Sequence, residues 1–222
     1  MWFKIEGIIV RILYFFTVPV LYIIYPHKLI WEDKKATKEI LKKPCVVYSN
    51  HTGYSDGLFM MGLFCRYGLY TFIGKDWYEK KKINWLFRHL KYIPIDRTQM
   101  DTSWLLKGKQ VIEEGNGIYF FPEGHTSKDG LMLEFQPGFL MLAKQCKLPL
   151  VPVCIDRKIE PFKPFRVIVG KPQEFSFKGE GRPSVILKQY ASECKKSIIL
   201  LKKNYGNPKF VTDDVKNIDT AE

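Results

Sequence analysis

Six short runs rich in β-branched and aromatic residues punctuate this chain: CVVYS (45–49), LYTFIG (69–74), KYIPIDR (91–97), GIYFF (117–121), LPLVPVCI (148–155) and FRVIVG (165–170). Their length and composition read as strands. Between most of them lie segments with helical spacing: 55–66, 76–91 with a basic face, 103–114 with Gly115 as a stop, and 138–146. A long amphipathic helix is expected over 184–205, with lysines gathered in its second half where they suit the helix dipole. Strands that alternate with helices predict a three-layer α/β domain, a mostly parallel or mixed sheet flanked by helices. In such folds ligands collect beyond the C-terminal ends of the strands. His51, Arg97 and Glu123 each stand just past a predicted strand.

The stretch SNHTGYSDG (49–57) sets His51 and Asp56 five positions apart. Five residues turn through roughly 140° on a helix and end on the opposite face of a strand, so the two side chains meet only if the chain bends. Gly53 is expected to permit the bend, and Ser55 or Asp56 to cap the following helix. A carboxylate beside one imidazole nitrogen fixes the tautomer and stabilises the imidazolium formed when the other nitrogen takes a proton. That is the construction of a general base. No GxSxG elbow is present and no cysteine lies in an electropositive turn. Ser49 and Ser55 are close in sequence, but Ser55 has a ready role in capping, so a stored acyl-enzyme is the weaker reading beside deprotonation of a hydroxyl on a bound substrate.

Two further clusters accompany it. FPEGHTSKDG (121–130) leaves a strand at Pro122 and opens, from Glu123 and Gly124, into a loop of small polar residues able to offer N–H groups and hydroxyls to a ligand. Among the cations of 75–97, Lys75 and Arg97 each follow an apolar run directly and are candidates to grip a phosphate, Arg97 with a bidentate fork.

A net charge of +12 predicts attraction to an anionic partner without choosing one. The N-terminus narrows the choice towards lipid. Residues 12–25 carry no charge, and extension back to Ile8 admits only Arg11. Such helices span about 21–27 Å, short of a ~30 Å hydrocarbon core, and Pro19 would kink them. Residues 1–31 are therefore expected to be an N-terminal membrane-associated helical segment, with Arg11 snorkelling and Tyr14, Tyr22, Tyr25 and Trp31 near the interface. The alternative is a core helix of a soluble domain. A catalytic domain over 32–206 and a mobile polar tail over 207–222 complete the division. Cys45, Cys65, Cys146, Cys154 and Cys194 are scattered without a CxxC pair and read as reduced thiols of a protein facing the cytoplasm, with no zinc site.

Taken together, these blocks resemble the glycerolipid acyltransferases with an HxxxxD signature, the family that includes 1-acylglycerol-3-phosphate acyltransferases. NHTGYSD matches the signature, and IPIDR, FPEG and LPLVPVCI come after it in the family's order across roughly residues 40–175. The resemblance implies a membrane enzyme of phospholipid biosynthesis, with its catalytic domain on the cytoplasmic face of the cell membrane. It implies transfer of an acyl group from acyl-CoA or acyl-carrier protein, the co-substrate, to the free hydroxyl of a lysophospholipid, with no separate cofactor, metal or nucleic acid. His51 would be the base and Asp56 its orienting partner. Lys75 and Arg97 match positions associated with the acceptor phosphate, and Glu123, Gly124, His125, Thr126 and Ser127 match the acceptor loop.

One departure bears on the acceptor. The family loop commonly continues with an arginine that holds phosphate, and Thr126 stands in its place. Either Lys128, His125 or Arg97 compensates, or the acceptor is a lysolipid other than lysophosphatidate. Two rivals explain less. A hydrolytic metalloenzyme built on His51, Asp56, Glu123 and His125 lacks helical ligand spacing. A non-enzymatic basic membrane-binding module leaves the four ordered blocks without a purpose.

Overall fold

The computed structural model describes residues 15–80, 84, 87, 90–96, 102–126, 131–178 and 181–210. From residue 15 to 24 the chain is helical (α1). It continues as β1 (His27–Trp31), α2 (Lys34–Leu41), β2 (Val46–Ser49), α3 (Ser55–Leu63), β3 (Tyr70–Gly74), α4 (Lys75–Tyr78) and β4 (Tyr92–Ile95). Then come α5 (Ser103–Glu113), β5 (Ile118–Phe120), α6 (Gly138–Cys146), β6 (Leu150–Ile155), β7 (Phe165–Val169) and α7 (Pro183–Tyr205).

The strands form one sheet of order β1-β7-β6-β2-β5-β3-β4. β6, β2, β5, β3 and β4 run parallel, while β7 is antiparallel to β6 and carries β1 parallel to itself. The sheet is therefore mixed, and the C-terminal ends of its five parallel strands share one edge. Burial follows the period of two that a doubly covered sheet requires. Val46 and Tyr48 of β2, with Leu150 and Cys154 of β6, face a core completed by α5, α6 and α7. Val47, Val151, Val153 and Ile155 face the opposite core, which includes Leu41 of α2 and Phe59, Met60 and Leu63 of α3. The three-layer expectation holds.

The structure differs from the sequence-based expectation at three places. Residues 27–31 are not the end of a helical anchor but an edge strand, paired with β7 from His27↔Phe165 to Trp31↔Val169. HKLIW alternates weakly because an edge strand is only half covered, which blurs its signal. Among the described residues no helix is long and apolar enough to cross a membrane; Arg11 and Tyr14 lie outside them. Of the helix expected over 76–91, the first part is the single turn of α4, and the chain leaves helical form at 79–80. Residues 84 and 87 are again helical, and most of the rest lies outside the described residues. Finally, Asn207, placed in the mobile tail by the sequence reading, is tied down, its N–H donating to Asp156 Oδ2 at 3.2 Å; residues 211–222 lie outside the described residues.

Candidate active site

β2 lies between β6 and β5, so the chain leaving it is gripped from both sides. Asn50 extends the pairing by one residue with its side chain: Nδ2 donates to Ile155 O at 2.9 Å and Oδ1 accepts from Ile155 N–H at 2.8 Å. The next residue turns to the other neighbour, His51 N–H donating to Glu123 Oε1 at 2.6 Å. Two consecutive residues thus anchor the strand exit to β6 and to the loop after β5. Rotamer freedom at His51 is limited further by Phe121, whose ring stacks on the imidazole with centroids 4.4 Å apart.

The bend between His51 and Asp56 brings them together, with His51 Nδ1 2.9 Å from Asp56 Oδ2. Asp56 is fully buried, and such a carboxylate is tolerable only when its oxygens are satisfied. Oδ2 also accepts the backbone N–H groups of Thr52 and Gly53, and Thr52 Oγ1 donates to Oδ1 at 3.0 Å. An oxygen that already takes two backbone N–H donors acts as an acceptor towards the ring as well, so Nδ1 carries the proton. Nε2 is then left with its lone pair, and it makes no hydrogen bond among the described residues. The ring is one-fifth exposed while its partner is sealed. A fixed, partly open imidazole with a free basic nitrogen results.

Helix capping works differently from the sequence expectation. Tyr54 is the N-cap of α3 and makes no side-chain cap bond, so Ser55 is not used as a cap. Asp56, in the first turn, reaches backwards to cap the bend instead. Nor does Gly53 adopt a left-handed conformation: the positive-φ glycines are Gly68, Gly115, Gly124 and Gly181 among the described residues. The carboxylate holds the bend. A Cβ at Gly53 would sit 3.5 Å from the Lys158 side chain, which reaches over from the end of β6. Sequence reasoning missed Lys158, although it obeys the same strand-end rule as His51 and Glu123.

Glu123 reaches the site as expected but as a brace. It is buried, and its second oxygen accepts Leu133 N–H at 2.8 Å, so both oxygens serve backbone donors. Burial pushes its carboxyl above the usual range, with the two backbone hydrogen bonds partly opposing the shift. Gly124, at φ 72°, needs the freedom of glycine to turn the loop after it. His125 is exposed and Thr126 half-buried beyond that turn. Lys75 opens α4 at the same edge of the sheet, half exposed, 3.9 Å from Asp96 Oδ2. Arg97 and Ser127 lie outside the described residues, as does Lys128.

This arrangement can deprotonate an alcohol. Among the described residues, the thiols and Ser49 are poorly suited to act as a protein nucleophile in place of one. Burial pushes the thiols of Cys45, Cys154 and Cys194 up to about 12 and raises Cys65 and Cys146. Ser49 is fully buried with its hydroxyl donating to Asn50 O. Among the described residues no three His, Cys, Asp or Glu side chains are grouped so as to hold a metal ion.

Comparison with known proteins bears on the same region. Residues 30–156 match the Acyltransferase family model. A 1-acyl-sn-glycerol-3-phosphate acyltransferase of Limnanthes douglasii is 33% identical over 126 residues, covering 53% of this chain and 42% of that protein. An enzyme of the same name from Pseudomonas aeruginosa is 30% identical over 124 residues, 54% of this chain and 48% of the other. The match thus spans less than half of either relative. In architecture the chain is similar to the crystal structure of the 1-acyl-sn-glycerophosphate (LPA) acyltransferase PlsC from Thermotoga maritima. The TM-score is 0.58 at 19% identity, over 92% of this chain and 99% of that one.

Proposed function

The chain belongs to the Acyltransferase family, and on that premise we propose that it moves a fatty acyl group from acyl-CoA or acyl-carrier protein to the free hydroxyl of a lysophospholipid, 1-acylglycerol-3-phosphate giving phosphatidate. The observation that carries this reading is the free Nε2 of an imidazole whose other nitrogen is held by a sealed carboxylate. The names of the relatives support the choice of acceptor.

In this mechanism the acceptor hydroxyl lies against His51 Nε2. Its oxygen attacks the thioester carbonyl as Nε2 takes the proton, and Asp56 stabilises the imidazolium. Because backbone N–H groups fix Asp56, no reorganisation is needed as charge develops. Collapse of the tetrahedral intermediate breaks the C–S bond, and the leaving thiolate takes the proton back from His51. An ester and a free thiol result, and His51 is restored. Lys75, Arg97 and the loop from Gly124 through His125, Thr126 and Ser127 would receive the acceptor phosphate. A different lysolipid acceptor is the second reading, favoured by Thr126 where the family commonly has arginine.

We place the enzyme at the cell membrane with its catalytic domain on the cytoplasmic side. Five free cysteines fit that side, and the exposed apolar residues Phe15, Phe16, Val20 and Ile23 of α1 fit contact with lipid. The test is an acyl-transfer assay of purified protein in detergent, offering several lysolipids with matched CoA and carrier-protein donors. Transfer by the wild type and its loss in H51A are expected. A wild-type protein inert with every pair, or an H51A protein of full activity, would overturn the proposal.

A further inference from the structure

The loop from β6 to β7, residues 156–164, carries a feature that catalysis does not use. Phe162 at its tip is 73% exposed and has φ 59°, a left-handed conformation that bulky side chains rarely adopt. The residue is nevertheless held in place: Phe162 N–H donates at 2.6 Å to the carbonyl of Ile24, the last helical residue of α1. Strain of this kind persists where the surroundings enforce it, and it collects at functional positions.

The neighbouring helix points the same way. α1 packs inward through Val18 and Leu21, whose side chains stand 3.8 and 3.3 Å from where a Cβ of Gly62 would lie, and through Tyr22 against Phe59. Phe16, Val20 and Ile23, spaced as one helical face, are turned outward at 66%, 52% and 73% exposure. Phe162, bonded to Ile24, lies beside the C-terminal end of α1. Cations flank it. Glu160 is shared by Arg157 at 3.2 Å and Lys163 at 3.1 Å, while Lys158 makes no ion pair among the described residues. Lys28 is exposed at the start of β1. An apolar strip bordered by surplus positive charge is complementary to a bilayer with anionic headgroups.

We propose that the β6–β7 loop is a second membrane contact, Phe162 inserting among acyl chains beside α1 while Lys158 and Lys28 meet headgroup phosphates. The Lys158 stem also lies along Gly53, so the loop that grips the bilayer adjoins the His51 turn. A lysolipid could then reach the base without leaving the interface. The purpose of this surface rests on the acyltransferase reading; its binding to lipid does not.

The test is vesicle flotation of F162G and of a K28Q/K158Q double variant, with phosphatidylcholine vesicles lacking or containing phosphatidylglycerol. Glycine suits the positive φ and retains the N–H, so F162G is expected to melt no lower than wild type. Its binding to vesicles should fall about ten-fold or more, as loss of a buried aromatic ring requires. The lysine variant should lose binding to the anionic vesicles only. Acyl transfer to a bilayer-embedded acceptor should fall with F162G, while transfer to a monomeric short-chain acceptor should not. Vesicle binding by F162G equal to wild type would overturn the proposal, as would a change in its sedimentation coefficient in place of lost binding, which would make Phe162 a contact between copies. If the wild type transfers no acyl group, the enzymatic reading fails, and the flotation result still decides the membrane contact.

Discussion

His51 and Glu123 are 72 residues apart in sequence, yet the backbone N–H of one donates to the carboxylate of the other at 2.6 Å. Parallel β2 and β5 bring their ends together, and Glu123 joins the His51 turn to the loop after β5. Movement of that loop would therefore pull on the His51 backbone.

The raised Glu123 carboxyl makes this joint sensitive to pH. An acid whose pKa is higher folded than unfolded contributes stability in its protonated form that is lost as pH rises through the folded value. Relative to E123Q, which cannot titrate there, the wild type should lose stability as pH increases above the ordinary glutamate range. Denaturant unfolding of both proteins across mildly acidic to neutral pH checks it. Parallel stability curves would show that Glu123 is not the titrating group.

Asp56→Asn tests the tautomer argument. The amide keeps one oxygen for Thr52 N–H, Gly53 N–H and the ring, which all meet the same carboxylate oxygen. But it lacks the negative charge that stabilises an imidazolium and sets an NH2 group where Thr52 Oγ1 found an acceptor. Turnover should fall about 10²–10⁴-fold, the usual contribution of general base catalysis, with KM little changed. Stability should fall by about 1–3 kcal/mol, because Asp56 also holds the bend. A variant that loses stability but keeps kcat would leave Asp56 a purely structural cap.

Gly53→Ala separates two accounts of the bend. If glycine's conformational freedom made it, alanine would be costly. Gly53 is not at positive φ, and the new methyl would meet Lys158 and Asp56 at ordinary contact distances of 3.5 and 4.0 Å. A neutral change or a gain of about 0.4–1 kcal/mol is expected, with activity kept. A marked fall in melting temperature would restore the conformational role of glycine.

The strand-end rule found most of this site because parallel strands advertise themselves twice, by buried β-branched runs and by the polar or charged residues placed just past them. His51, Glu123 and Lys75 were legible in that way. β1 was not, since an edge strand is covered on one side and comes after an uncharged run that draws attention to lipid. The source of the bend was also hidden: a glycine is visible in sequence, whereas a carboxylate reaching back to two amides is a three-dimensional fact. Lys158 could have been found by applying the same rule to the end of LPLVPVCI. Phe162 could not, because its prominence depends on a backbone torsion and a bond to Ile24.

Asn50 allows the coupling of fold to chemistry to be measured. Its side chain satisfies both backbone groups of Ile155, and the residue is nearly buried. Alanine would leave an N–H and a carbonyl without partners at the edge of the sheet, at about 1–3 kcal/mol for each group that water fails to reach. Water entering the gap would recover part of this, so a loss of about 2–4 kcal/mol is expected in denaturant unfolding. Aspartate should rescue little, because it cannot donate to Ile155 O. Since Asn50 immediately precedes His51, the proposed base, kcat of N50A should also drop under conditions where the protein is fully folded. Unchanged kcat in folded N50A would show that the bond to Glu123 and the stacking on Phe121 position His51 without help from β6.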